Sequence, residues 1–210
     1  MAETGSERVT VYSDYVCPFC YLGRKSLSRY QDTRDEELEI DWHPFDLRSQ
    51  KRNPDGSIDH SVDDGKGDDY YEQAKQNVRR LQEQYDVEMT LEIATDVDSL
   101  SAQIASYYVK EHYPYETWLD FDTSIFEALW QDGRDIGDED LLVELATEAG
   151  VDGAEIRAAL ADDSLAETVR ERFTEAQQAG ITGVPTFAYD GYAARGAVPP
   201  EHIERLVEGT

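Results

Sequence analysis

Cys17-Pro18-Phe19-Cys20 contains both cysteines of this 210-residue chain, three positions apart. Thiols at that spacing can exchange electrons as a dithiol, ligate a soft metal, or close a structural disulfide. A structural zinc site needs about four nitrogen or sulfur ligands. No further cysteine is present, and His43, His60, His112 and His202 are scattered with no pair at ligand spacing, so no metal is expected. Two buried cysteines acting as small hydrophobes are a further alternative. Their place beside a proline at the junction of a strand and a helix favours redox chemistry.

The elements that must position the pair can be read around it. Val9-Thr10-Val11-Tyr12-Ser13 alternates and is rich in β-branched residues, which predicts a strand. From Cys17 to about Tyr30, Leu22, Leu27 and Tyr30 recur at helical spacing. Cys17 then falls at the helix N-terminus, where unpaired backbone N–H groups and the positive end of the dipole favour a thiolate. This reading makes Cys17 the exposed nucleophile. Cys20, one turn on and more buried, is placed to resolve a mixed disulfide. Pro18 fits a first helical turn without loss of a needed donor.

A second piece lies far along the chain, at Gly183-Val184-Pro185-Thr186-Phe187. A strand is expected over residues 184–189, and its proline cannot donate to a ladder, so an edge or a bend is expected there. Asp190-Gly191 predicts a hairpin turn into a returning strand over 192–195. Residues 38–45 predict a strand with Leu38, Ile40 and Trp42 on one face. Helices are expected over about 70–85, 99–111, 115–131, 152–160 and 164–178. One more, capped by Asp138 and stopped at Gly150, carries Leu141, Leu142 and Leu145, and a last begins at Pro199-Pro200. The polar stretch 48–69 between them holds the turn Asn53-Pro54-Asp55-Gly56.

Other side chains near the pair have two readings each. Asp14 either modulates proton transfer at the thiols or, as favoured, caps the loop that leads into the helix. Tyr15, Phe19 and Tyr21 are either an apolar rim for substrate or core. His43 is better read as a satisfied histidine than as an acid–base group. Trp118, Phe121, Phe126 and Trp130 at helical intervals read as core.

Composition narrows the partners. Asp and Glu number 46 against 19 Lys and Arg, for a formal charge of −27. Phosphate backbones and anionic bilayers repel such a chain, so neither nucleic acid nor membrane is an expected partner. No apolar run approaches the ~18 residues of a spanning helix, and no secretory leader is recognisable. A cytoplasmic location is therefore expected, which disfavours a structural disulfide. The acid is dispersed and only five of the basic residues are Lys; this predicts a halophilic protein in a salt-rich cytosol that screens its self-repulsion.

Four segments together resemble the DsbA-like thioredoxin family, in its FrnE-like branch of DSBA oxidoreductases. They are Ser13 to Gly23; Trp42-His43-Pro44-Phe45-Asp46-Leu47; Asp135-Ile136-Gly137-Asp138 with Leu145 to Gly150; and Gly180 to Phe187. The resemblance implies an α/β, thioredoxin-like fold with a large all-helical insertion over the active-site face. Residues 1–65 and 164–210 would form the thioredoxin-like domain and 66–163 the insertion. It also implies Cys17 as nucleophile, Cys20 as resolving thiol and Pro185 as a cis-proline, with Val184, Pro18 and Phe19 completing the active-site loops.

The implied activity is to reduce, form or isomerise disulfides without a cofactor, on a disulfide-containing protein or a small thiol, with glutathione or another low-molecular-weight thiol as co-substrate. Monomer and homodimer both stay open. Ser99-Leu100-Ser101-Ala102-Gln103-Ile104 departs from the Asn-x-x-x-Ala-His-like string of relatives. The Pro18-Phe19 dipeptide lacks the histidine of strongly oxidising relatives and points to a less oxidising pair. A glutathione-dependent isomerase or transferase, similar to 2-hydroxychromene-2-carboxylate isomerase or the kappa class, is the alternative enzyme, although those carry Ser where Cys17 stands. A holdase or binding module is the alternative without catalysis.

Overall fold

A computed structural model of the chain describes residues 7–63 and 65–209. β1 (Glu7–Ser13) alternates as its sequence predicts, with Val9 and Val11 fully buried. It pairs in parallel with β2 (Leu38–Pro44), Val11 opposite Trp42. On its other side it pairs antiparallel with β3 (Thr186–Tyr189), Val11 opposite Phe187. β4 (Tyr192–Arg195) completes a four-stranded mixed sheet in the order β2-β1-β3-β4. α1 (Pro18–Gln31) supplies the crossover that the parallel pair requires.

Among the described residues six α-helices lie between β2 and β3: α2 (Asp68–Tyr85), α3 (Leu100–His112), α4 (Tyr115–Trp130), α5 (Glu139–Glu148), α6 (Gly153–Leu160) and α7 (Asp163–Gln178). α8 (Pro200–Glu208) ends the chain's secondary structure. The helical periodicity located all of them within two residues. Part of the abundant acid caps them: Asp138, Asp152 and Asp162 each accept from the N–H two residues on, at 2.8–2.9 Å. At the hairpin, Asp190 and Gly191 take φ of +47° and +82°, as a two-residue turn between β3 and β4 demands.

One expectation shifts. The strand anticipated from Val184 starts at Thr186, because Pro185 has no N–H to pair. β3 is also a central strand, so the proline occupies a bend ahead of it and not an edge. The Pro185 carbonyl instead accepts from the Gly196 N–H at 2.8 Å.

Three cores hold the layers, the smallest joining Leu22 of α1 to Val78, Leu81 and Tyr85 of α2. Val9, Val11 and Phe187 of the sheet pack with Leu27 of α1 and Ile203 of α8. The larger core joins Tyr15 and Trp42 to Trp118, Phe121, Ile125, Phe126 and Trp130 of α4, so the 118–130 aromatics are core as expected. Each fully buried side chain of this kind contributes about 1.5–3 kcal/mol. Polar ties fix the register of helices on loop: the Trp130 indole N–H donates to the Tyr15 carbonyl at 2.9 Å, and Lys110 Nζ donates to the Trp42 carbonyl at 2.7 Å.

Asp122 of α4 is the deepest tie. Its carboxylate is shared by the Tyr15 hydroxyl, 2.8 Å away, and the guanidinium of Arg24 on α1. Burial pushes the Asp122 carboxyl up, and Arg24 opposes that shift. Removal of Asp122 strands a nearly buried cation and a buried hydroxyl. Asp122→Ala is expected to cost about 3–5 kcal/mol of stability in urea denaturation; a loss under about 1 kcal/mol would show that the tie does not anchor α4.

Candidate active site

Cys17 is the N-cap residue of α1, with φ −94° and ψ 112°, and Pro18 opens the helix. No side-chain hydrogen bond caps this end of the helix. The backbone fixes the turn: Cys17 N–H donates to the Asp14 carbonyl at 3.1 Å, and Cys20 N–H to the Cys17 carbonyl at 3.0 Å. The Cys17 thiol donates to the Val184 carbonyl at 3.6 Å. The Val184–Pro185 peptide is cis.

Gly23 lets α1 close on that loop. A Cβ there would stand 3.1 Å from both Pro185 Cγ and Phe187 Cζ, tighter than ordinary van der Waals contact. The dithiol helix and the proline bend, about 160 residues apart in the chain, therefore meet through a missing side chain.

The two thiols differ sharply. Cys20 is fully buried, and burial pushes its thiol well up; its hydrogen bond to Cys17 and the charges of Cys17 and Asp14 push the same way. Cys17 lines a cavity of about 370 Å³ together with Val16, Pro18, Phe19 and Val184. The opposite walls come from the segment after β2 and from α2, with Arg48, Lys51, Tyr70 and Tyr71. Among the described residues no group of three or more His, Cys, Asp or Glu is arranged to hold a metal.

The geometry corrects several expectations. Cys17 is not an exposed residue: 4% of its surface is accessible, and the cavity is its route to solvent. The helices between β2 and β3 cover it. Tyr15 and Tyr21 are core residues, each 1% exposed, with their hydroxyls engaged by Asp122 and Gln131. Only Phe19 of that trio faces the cavity. His43 lies on β2 outside the cavity, bonded through Nδ1 to the Pro44 carbonyl at 3.0 Å and set against the Tyr12 ring.

Asp14 does organise the loop, and does more. Its carboxylate is wholly buried and accepts from Val16 N–H (3.2 Å), Leu47 N–H (2.9 Å), Ser99 Oγ (2.5 Å) and Gln103 Nε2 (3.4 Å). The string 99–104 that departs from the expected pattern thus supplies two of its partners. Neither Ser99 nor Gln103 was singled out from the sequence, because nothing local pairs them with a residue some 85 positions earlier. Arg48 and Lys51 were missed as well. Their signal was present: three bases, Arg48, Lys51 and Arg52, fall within five positions of a strongly acidic chain.

Burial, partly offset by the Ser99 and Leu47 hydrogen bonds, raises the Asp14 carboxyl from 3.8 to about 6. An acid with a raised folded-state value ionises at a cost to the fold. That cost is absent below about pH 4, grows between pH 4 and 6, and is complete above. Asp14→Asn removes the titration. Between about pH 4.5 and 7.5 the wild type is expected to lose roughly 2 kcal/mol relative to Asp14→Asn, by urea denaturation at each pH. A difference independent of pH would refute the raised carboxyl.

Comparison with known proteins agrees with this architecture. Protein YwbO of Bacillus subtilis, whose own function is uncharacterized, is 30% identical over 205 residues, 95% of this chain and 94% of that one. The probable DsbA oxidoreductase of Streptomyces coelicolor superposes with a TM-score of 0.74 at 24% identity, covering 96% of this chain and 88% of its own. A 2-hydroxychromene-2-carboxylate isomerase superposes with a TM-score of 0.75 at 20% identity, covering 95% and 90%. The DSBA-like thioredoxin domain matches residues 8–208. Because that match takes in the cysteine pair, the covering helices and the proline bend as one unit, the chain belongs to the family of DSBA-like thioredoxin domains, a thioredoxin fold with a helical insertion.

Proposed function

We propose that this protein is a thiol–disulfide oxidoreductase in which Cys17 is the nucleophile and Cys20 the resolving thiol. The observation that carries the reading is the asymmetry of the pair. Cys17 caps α1 and alone of the two opens on the cavity, while Cys20 is sealed one turn behind it. A thiol pushed well up by burial stays protonated until its neighbour has reacted, which sets the order of attack. Val184 and Pro185 would hold the substrate sulfur's side of the site, next to Cys17.

The likeness to the isomerase supports a second reading, a glutathione-dependent isomerase or transferase, since a cavity of about 370 Å³ admits a small organic substrate. The two readings part on Cys20, which an isomerase does not need. The proposed setting is a salt-rich cytoplasm, on the strength of the −27 charge and the scarcity of lysine.

With hydroxyethyl disulfide, the reduced protein is expected to lose two thiols per chain. Cys17→Ser should slow this roughly a thousandfold or more. Cys20→Ser should stop at a stable mixed disulfide, seen by mass spectrometry. Unchanged thiol loss in Cys17→Ser would sink the oxidoreductase reading; turnover of an aromatic substrate unaffected by Cys20→Ser would establish the second. For the setting, raising KCl from about 0.1 M to about 2 M is expected to lift Tm by roughly 5 °C or more through screening of like charge. A fall in Tm would remove that part of the proposal.

A further inference from the structure

The sheet has two edges, and the fold treats them differently. β2, at one edge, is capped by side chains of the helical insertion: the Ile40 N–H donates to the Tyr115 hydroxyl at 2.9 Å, and the Trp42 carbonyl accepts from Lys110 Nζ at 2.7 Å. β4 forms the other edge, and among the described residues no side chain bonds to its backbone.

The ladder decides which groups of β4 face outward. Between antiparallel strands, hydrogen-bonded and non-hydrogen-bonded pairs alternate. Arg195 stands opposite Thr186, Ala194 opposite Phe187, Ala193 opposite Ala188 and Tyr192 opposite Tyr189. The next pair in this register, Pro185 with Gly196, is bonded, the Gly196 N–H on the Pro185 carbonyl at 2.8 Å. Ala194 and Tyr192 therefore bond to β3, while Ala193 and Arg195 turn their N–H and carbonyl groups away from the sheet. Natural edges are usually blunted by proline, by a bulge or by a covering segment. The sequence Tyr192-Ala193-Ala194-Arg195 contains no proline, and its register is unbroken.

The chemistry along this edge is not that of the rest of the surface. A groove of about 540 Å³ runs between β4 and α8, lined by Tyr192, Ala194, His202, Arg205 and Leu206. Tyr192 is 72% exposed, more than any other large hydrophobic side chain among the described residues. Acids outnumber bases 46 to 19 in the chain, yet no described Asp or Glu lines the groove. The acids nearest in sequence, Asp190, Glu201, Glu204 and Glu208, lie outside its lining. Arg195 and Arg205 are exposed, and among the described residues neither guanidinium has a hydrogen bond or an ion pair.

We propose that the β4 edge docks an extended acidic segment of another polypeptide, which adds a strand to the sheet. Main-chain bonds to Ala193 and Arg195 would hold the segment. Its carboxylates would meet Arg205 on the groove side and Arg195 on the opposite face, since residues of a strand alternate between faces. A second copy of this chain fits less well: pairing β4 with itself about a two-fold axis brings like arginines together, and like charges across a strand pair repel. The edge shares no lining residue with the Cys17 cavity, so the inference stands apart from the oxidoreductase reading.

Capped, fluorescently labelled peptides alternating Thr with Glu, Gln or Lys test this by anisotropy against the full chain. Thr favours the extended form in all of them. The net charge of −27 on its own would favour the Lys peptide, so the proposal and the global field predict opposite orders. In about 0.1 M KCl the Glu peptide is expected to bind about tenfold or more tighter than the Lys peptide, with Gln between them, and about 1 M KCl should narrow the gap. Methylating alternate backbone nitrogens of the Glu peptide should abolish binding, because a strand needs those donors. Bound peptide should slow amide hydrogen exchange at Ala193 and Arg195.

Ala193→Pro removes an N–H that the β3 ladder does not use, so it should weaken binding about tenfold while Tm stays within about 5 °C. Arg205→Glu with Arg195→Glu should reverse the order of the peptides. Equal or tighter binding of the Lys peptide overturns the proposal, as does undiminished binding of the methylated peptide. Protection that appears elsewhere, or affinity untouched by both variants, overturns it too. A wild type that dimerises in sedimentation, with the dimer lost in Ala193→Pro, gives the edge to a second copy and likewise overturns it.

Discussion

The carboxylate of Asp14 is where the site's separate segments are joined. One buried acceptor gathers an N–H from its own loop, an N–H from the segment that follows β2, and two side chains at the start of α3. Phe45 adds two further ties between these pieces, its N–H donating to the Ser13 carbonyl at 3.1 Å and its carbonyl accepting from Gln103 Nε2 at 3.2 Å. Without the acceptor, four donors would lie in an apolar interior, each at a cost of about 1–3 kcal/mol. The same burial raises the carboxyl to about 6, so the group that organises the site is destabilising when ionised. Its charge also presses the Cys20 thiol upward. The group that joins the loops thus also acts on the electrostatics of Cys20, behind the larger effect of burial.

Sequence order explains why some of this was legible and some was not. Periodicity and caps are local, so the strand at Val9–Ser13, the helices and the Asp190-Gly191 turn could be read directly. The cysteine pair could be read too, because spacing and a neighbouring proline are local facts. Burial is not local. Tyr15 and Tyr21 sit beside the cysteines in the chain, but α4 covers them with Phe126 and ties one to Asp122. Cys17 itself is recessed for the same reason: the helices that hide it begin some fifty residues later. The Asp14 partners Ser99 and Gln103 looked like a mere departure from a pattern; only the fold shows them facing the acid.

The distribution of charge follows a similar rule. Asp138, Asp152 and Asp162 are consumed at helix N-termini, where the backbone supplies the opposite partial charge. Asp46, Asp98 and Asp122 are consumed by arginines in partly or wholly buried pairs. An arginine fork suits these positions because it meets two acceptors at once and is less strongly hydrated than an ammonium. Much of the remaining acid is left at the surface, where its repulsion is long-ranged and is weakened by salt.

The recess of Cys17 and the burial of Cys20 bear on the proposed exchange reaction. The first turn of a helix leaves backbone N–H groups without intrahelical partners, and such fixed dipoles need no reorganisation as charge moves near them. Disulfide exchange spreads negative charge from the attacking to the leaving sulfur. The second step runs in the opposite electrostatic sense. Cys20 must ionise in an apolar seal with Asp14 close by, which is unfavourable until Cys17 is no longer an anion. In the proposed reaction the recess of Cys17 would admit only a ligand that enters the cavity, and the burial of Cys20 would make resolution conditional on the mixed disulfide having formed.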